Sequence, residues 1–331
     1  MNHSIFQADY ISHLITLARG FFPSRVFLTA MELGVFEQLK GQAKTSSEMA
    51  KQLGTDERAM EILLNALTGM GLLEKKNKDL FANIKELEDN LLEGSLCQKD
   101  GVFNHISHLW EAWSHLTEAV RTGKPYKKEW TDEMRQGLAL FMKQHSKGKA
   151  ERVSQLVDCS GANLMLDLGC GPGSYAVAFA RRYPQLKIVS LDRDDQILNI
   201  AEEEIIRGKL QSRILLRKGD FFADDIGNDY DLAFLSSIVC ILGEKENINL
   251  LRKVKGSLKT GGRVVILDLI LDEWKTKPVS GAMFAVNMLV TTPNGRSYSF
   301  SEVKGWLHEL GIKEIHRIPM EYSQLIIGSK I

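Results

Sequence analysis

From Asn163 onward, short apolar runs alternate with amphipathic stretches of helical period, and this alternation constrains the fold of the 331-residue chain more than any other feature. The runs at 164–168, 187–191, 213–217, 232–235 and 263–267 read as strands joined by crossover helices, which predicts a doubly wound parallel sheet covered on both faces. The last two runs, 313–318 and 324–328, are separated only by 319–323. A link that short cannot hold a crossover, so it predicts an antiparallel pair at the C-terminal edge.

Upstream the period is helical. Ile11, Leu14, Ile15 and Ala18 recur at three- and four-residue steps. Val26, Phe27, Ala30, Met31, Leu33, Val35, Phe36 and Leu39 do so with apolar coverage too wide for one packing partner. Thr45, Ser46, Ser47 and Glu48 form a capping sequence, Gly54 ends that helix, and Thr55 or Asp56 opens another through Met60, Leu63, Leu64, Leu67 and Met70. The segment 71–81 reads as a hairpin, completing a winged-helix pattern. DNA readout is disfavoured: the would-be recognition helix carries Asp56, Glu57 and Glu61 against Arg58 alone, whereas phosphate contact needs Lys and Arg. Packing against a second subunit uses the same apolar surface without a positive face.

Residues 105–160 stay helical, with Trp110, Trp113 and Leu116 on one face, a break at Gly123 and Pro125, and Phe141 and Met142 beyond it. The expected organisation is a dimerisation domain at 1–104, a helical connector contributing to the substrate pocket at 105–160, and a ligand-binding sheet domain at 161–331.

Lysine plus arginine and aspartate plus glutamate both number 42, with 19 of each before position 151. Neither half has the charge excess of a nucleic-acid or membrane-surface binder, and the expected ligand is a small molecule. Four cysteines (Cys97, Cys159, Cys170, Cys240) without a paired C-x-x-C predict no zinc site and no disulfide framework. No run reaches membrane-spanning length, and the N-terminus lacks a leader's apolar core. The expected location is the cytoplasm.

The densest motif is Asp167-Leu168-Gly169-Cys170-Gly171-Pro172-Gly173, at the end of the first sheet strand and the start of a helix. Glycines there permit close backbone approach, and the helix N-terminus offers free N–H groups to an anion. A dinucleotide fingerprint starting at Gly169 needs glycine at 174, where Ser174 stands. Asp192 ends the second strand, where a carboxylate can accept from two ribose hydroxyls, and Asp220 and Phe221 follow the third, suited to an amino group and a purine face. Together these describe a nucleoside ligand.

With these motifs the chain resembles class I S-adenosylmethionine-dependent methyltransferases of the hydroxyindole (acetylserotonin) and caffeate O-methyltransferase type. DLGCGPG, the Leu191-Asp192 pair, GDFF at 219–222, LKTGGRVVILD at 258–268 and NMLVTTPNG at 287–295 follow the family in order and spacing. The resemblance implies a Rossmann-like sheet, an N-terminal winged-helix module that forms a homodimer, and S-adenosyl-L-methionine as cofactor. It places Gly169 and Gly171 under the methionine part, Asp192 at the ribose and Asp220 and Phe221 at the adenine, with Ser236 as a further contact and Asp167 among the cofactor-binding residues.

In that family a histidine after the fourth strand, in a Leu-His-Asp-Trp sequence, takes the acceptor's proton. Here the matching stretch is Val239-Cys240-Ile241-Leu242, so Cys240 stands for the histidine. Of the two acidic residues that orient it in the family, one matches Asp268 and the other falls at Ser297. His145, in a Met142-to-Ser146 segment that resembles a pocket-lining stretch, is the foremost replacement base, ahead of His105 and His108. Trp110, Trp113, Phe141, Met142, Met283, Phe284, Asn287 and Met288 are the expected lining of an apolar acceptor pocket.

Methyl transfer from a sulfonium is a direct displacement governed by alignment. A missing base costs roughly 10²- to 10⁴-fold, and only where the nucleophile holds a proton. Oxygen is the acceptor atom by resemblance, with carbon or sulfur left open by Cys240. A non-methyl-transfer reaction on the same fold and a cofactor-sensing regulator are the alternatives.

Overall fold

The computed structural model describes residues 3–92, 102–321 and 323–331, so Cys97 lies outside the described residues. Its contacts divide the chain into two units, Met1–Ser107 and His108–Ile331. The helices expected as a connector fall in the second unit from His108 on.

The first unit holds α1 (His3–Ala18), α2 (Phe21–Leu33), α3 (Val35–Gln38), α4 (Ser46–Leu53), α5 (Glu57–Gly69), the strands β1 (Leu73–Asn77) and β2 (Leu80–Asn83), and the short α6 (Lys85–Leu87). The strands pair antiparallel as the wing. Both helix starts follow the capping rule: Glu48 N–H donates to Thr45 Oγ1 at 3.2 Å while Thr45 N–H donates back to the Glu48 carboxylate at 2.8 Å, and Ala59 N–H donates to Asp56 at 2.8 Å. Phe36, Leu39, Met49, Leu64, Leu67 and Phe81 fill the core with no exposed surface. The apolar face of α1 is not buried in this unit: Tyr10, Ile11, Leu14, Ile15 and Leu17 are all exposed.

The helix α7 (Val102–Ser114) leads into the second unit, followed by α8 (Leu116–Thr122), α9 (Asp132–Ser146) and α10 (Lys149–Leu156). Then come β3 (Leu164–Leu168), α11 (Ser174–Arg182), β4 (Lys187–Asp192), α12 (Asp195–Arg207), β5 (Ile214–Lys218), β6 (Tyr230–Ser236), α13 (Glu244–Ser257) and β7 (Leu258–Asp268). After them α14 (Val279–Thr291), α15 (Phe300–Glu309), β8 (Ile312–Pro319) and β9 (Gln324–Lys330) complete the chain. The seven-stranded sheet runs β5-β4-β3-β6-β7-β9-β8. Its first five strands are parallel, and β9 pairs antiparallel with both β7 and β8.

The strands read as unbroken apolar runs because both faces are covered. Successive residues go to opposite sides: Leu166, Ala233, Leu235, Val264 and Ile266 join one core, and Met165, Leu232, Phe234, Val265 and Leu267 join the other. The sheet order steps outward in both directions from β3, so a crevice opens beyond the C-terminal ends of β3 and β6, where doubly wound sheets bind ligands. No helix among the described residues is long and apolar enough to cross a membrane.

Candidate active site

The glycine turn after β3 closes that crevice from below. Gly169 and Cys170 N–H both donate to Leu191 O, at 2.8 and 3.0 Å, which ties the turn to the end of β4. Gly169 has φ +68°, and a Cβ there would sit 2.3 Å from Ile238 Cδ1, so a side chain at this position would be strained in its backbone and would have to push the Ile238 side chain aside. Met142 on α9 covers the turn, its Cε 3.4 Å from where a Gly171 Cβ would lie. Two ion pairs join α9 to the α12 region, Arg135–Asp194 at 2.7 Å and Lys143–Glu204 at 2.6 Å.

Between these elements lies a cleft open to solvent, lined by Met142, Ser146, Asp167, Gly169, Ser236 and Tyr175 among others. Asp167 is the sharpest feature in it. The residue is 2% exposed, yet its Oδ2 has no hydrogen-bond partner. Burial, with the charge of Asp192 adding to it, pushes the carboxyl up to about 7. Asp192 is raised less, because Gly171 N–H at 3.0 Å and Asp194 N–H at 3.2 Å donate to its oxygens. Tyr175 hydrogen-bonds with Ser236 and is pushed up to about 12 by burial.

Asp220 accepts from Phe222 N–H at 2.7 Å and shapes its own loop, while Lys253 Nζ holds that loop through the carbonyls of Phe221 at 3.0 Å and Phe222 at 3.1 Å. Phe221 packs on the sheet core. Neither Asp220 nor Phe221 is among the residues lining the cavity beside Asp167.

On the other side of Ser236 the chain turns through residues 239–241. Cys240 N–H donates to Asp268 Oδ2 at 3.0 Å, Leu269 N–H donates to Oδ1 at 2.8 Å, and the Cys240 thiol shares the same carboxylate. Cys240 is 1% exposed. Burial and the neighbouring Asp268 push its thiol well up, so it stays protonated and cannot act as the titrating base that its position suggests. Asn247 and Tyr298 lock the turn through Val239 O at 2.9 Å and Leu242 O at 2.7 Å.

The remaining expected residues are dispersed. His145 is exposed at the end of α9, stacked on Phe141. Trp113 Nε1 donates to Asn287 Oδ1, Met288 is buried, and Met283 is 51% exposed on the first turns of α14. Sequence reasoning passed over Tyr175 and Lys149, and took in Ser146 only as the end of the Met142 segment. Ser146 and Tyr175 face the cavity, and Lys149, the first residue of α10, lies near enough to Asp268 and His145 to bear on both electrostatically. Only their places in the tertiary structure mark them.

The sheet order, the glycine turn at its switch point and the strand-end carboxylates define a methyltransferase of the doubly wound class. The chain belongs to the O-methyltransferase family: the O-methyltransferase domain matches residues 113–313, and the O-methyltransferase dimerisation domain matches 15–85. The 3-hydroxy-5-methyl-1-naphthoate 3-O-methyltransferase of Streptomyces sahachiroi is 30% identical over 318 residues, covering 92% of this chain and 90% of that protein. The acetylserotonin O-methyltransferase of Gallus gallus is 29% identical, covering 93% of each. Human N-acetylserotonin methyltransferase, solved in complex with SAM, shares the fold with a TM-score of 0.82 at 23% identity, covering 100% of this chain and 99% of that one.

Proposed function

We propose that this chain, as a homodimer, transfers the methyl group of S-adenosylmethionine to a hydroxyl oxygen of a small aromatic molecule, with the residue roles that follow. The observation that carries the cofactor assignment is the buried, unpartnered Asp167 oxygen opening on the cavity under the glycine turn. A buried acceptor of that kind calls for a donor, and a cationic one suits it best. The cofactor's ammonium supplies that donor.

Asp167, Gly169 and Gly171 hold the methionine part, Asp192 the ribose hydroxyls, Asp220 and Phe221 the adenine, and Ser236 adds a further contact. When bound, S-adenosylmethionine supplies a sulfonium methyl group open to direct displacement. The chain's own contribution is alignment and exclusion of water by Met142, Trp113, Asn287, Met288 and, on the outer side, Met283. His145, solvent-accessible yet held below its usual range by partial desolvation of its ring and by the charge of Lys149, is neutral at physiological pH and free to accept a proton. Asp268, itself raised by burial, fixes the 239–241 turn through Cys240.

The relatives named above act on a hydroxynaphthoate and on acetylserotonin, which supports a flat, hydroxylated aromatic acceptor. Three buried free cysteines, Cys159, Cys170 and Cys240, suit a reducing cytoplasm. The test is calorimetry with S-adenosylhomocysteine together with product mass on a panel of hydroxynaphthoates and hydroxyindoles. Binding heat that Asp192→Ala removes, and a product heavier by one CH₂, are expected. No heat, or an unchanged mass across the panel, overturns the reading.

A further inference from the structure

Beyond the end of β5 the chain forms a short loop that one lysine gathers. Gly219 N–H donates to Asp192 O at 2.9 Å, which seats this loop beside the end of β4, at the same end of the sheet as the glycine turn. Inside the loop Asp220 N–H donates to Asp224 Oδ2, and Asp224 N–H donates back to Asp220 O, each at 2.8 Å. From α13, Lys253 Nζ donates to three carbonyls of the loop, those of Phe221 at 3.0 Å, Phe222 at 3.1 Å and Asp224. An ammonium has three donors, and this loop takes all of them. The support is rigid, since Leu250, Leu251 and Val254 of α13 and Phe221 of the loop join one core.

Two of these bonds continue through the backbone to a carboxylate. A trans peptide unit carries its C=O and its N–H on opposite sides. Phe221 O and Phe222 N–H belong to one such unit, and Phe222 O and Ala223 N–H to the next. Both N–H groups donate to the same atom, Asp220 Oδ1, at 2.7 and 3.4 Å. Two peptide dipoles therefore stand head to tail between the ammonium and the carboxylate, so that each hydrogen bond strengthens the next. Oδ1 is thereby committed to the loop, and among the described residues no hydrogen bond engages Oδ2. Asp220 is half-buried, and an open carboxylate oxygen there is a strong acceptor for a ligand N–H.

We propose that Lys253 is the positioning residue for base recognition: by holding the loop carbonyls it keeps Asp220 turned so that its second oxygen accepts from a purine 6-amino group. This rests on the S-adenosylmethionine reading above, which sets Asp220 at the adenine. Lys253 acts through Asp220 and takes no part in methyl transfer. A ligand without the amino group gains nothing from Asp220, and so nothing from Lys253.

The probes are S-adenosylhomocysteine and its analogue with unsubstituted purine in place of adenine, titrated calorimetrically into the full-length protein. Wild type should bind S-adenosylhomocysteine about tenfold or more tighter than the analogue, the worth of one hydrogen bond to a charged acceptor. Lys253→Met should cut that preference to less than about threefold by weakening S-adenosylhomocysteine alone, with affinity for the analogue within about twofold of wild type. Asp220→Ala should do the same, and adding Lys253→Met to it should change neither affinity by more than about twofold, because residues that act through one contact are not additive. A wild type without the preference, a Lys253→Met variant that keeps it in full, or one that weakens both ligands equally overturns the proposal. Absence of S-adenosylhomocysteine heat instead overturns the cofactor reading on which it rests. Where Lys253→Met does not fold, Lys253→Gln decides, since its amide can meet a carbonyl but carries no charge. A preference reduced by about threefold or more then supports the proposal, and a smaller reduction defeats it.

Discussion

Trp113 Nε1 donates a 2.9 Å hydrogen bond to Asn287 Oδ1, joining α7 to α14 across 174 positions of sequence. An indole N–H is a donor only, so this bond fixes which way the asparagine amide is turned and leaves its NH₂ group to donate elsewhere. We expect Trp113→Phe to raise KM for the aromatic acceptor about 2- to 12-fold, the value of one net hydrogen bond, with little change in S-adenosylhomocysteine affinity. Steady-state kinetics beside calorimetry separates the two, and an effect on the cofactor alone contradicts the assignment.

Asp167 makes cofactor binding depend on pH. With its carboxyl at about 7 in the ligand-free protein, a cationic ligand group binds well only after the proton leaves. S-adenosylhomocysteine affinity is expected to fall up to about tenfold per pH unit below 7, and Asp167→Asn should flatten that dependence. Stability moves in the opposite sense. A folded value above the unfolded one near 3.9 means that the native state binds more protons between the two, so Asp167 destabilises the ligand-free fold progressively as pH rises from about 4 to 7. Urea titrations at pH 5 and pH 8 should show Asp167→Asn gaining on wild type at both, and by more at the higher pH.

Gly169→Ala places a methyl 2.3 Å from Ile238 Cδ1 at a residue with φ +68°. Strain and overpacking together are expected to cost about 2–4 kcal/mol in chemical denaturation. Cofactor affinity should fall with it. A stable variant with intact affinity refutes the close approach.

Cys240→Ala is expected to keep kcat within about threefold and leave the pH–rate profile in place, because the thiol is buried and protonated. Its cost should appear as stability, on the order of 1 kcal/mol for the small cavity left behind. A shifted pH–rate profile would return the thiol to the chemistry.

We expect a second subunit to cover the outward face of α1. Leu14 and Ile15 are 44% and 46% exposed, and placing glutamate at both should leave a folded monomer by sedimentation, because the interface would then bury unpaired charges. A persistent dimer would put the interface elsewhere.

The local geometry around the glycine motif was largely legible in the sequence. Gly169 and Gly171 sit in one turn, and Asp167 and Asp192 occupy strand ends whose position follows from the apolar runs. The Thr45 and Asp56 caps and the antiparallel β8–β9 pair were legible for the same reason, since each is set by residues a few positions apart. Asp220 was found by pattern, but its carboxylate is engaged with its own loop, a detail only local geometry reveals.

The acceptor side was not legible. Cys240 occupies the motif position, but burial and Asp268 remove its reactivity. Met142 and Ser146 reach the glycine turn only because α9 lies across it, anchored by Arg135–Asp194 and Lys143–Glu204. What the amino-acid order decided by itself is what short-range sterics and periodicity dictate: strands, caps, the glycine turn and the family. The tertiary structure alone decided which charges meet. Lys149 and Asp268, 119 positions apart, act on each other only after α10 and β7 fold to the same end of the sheet, because electrostatic influence depends on distance in space and on lost solvent.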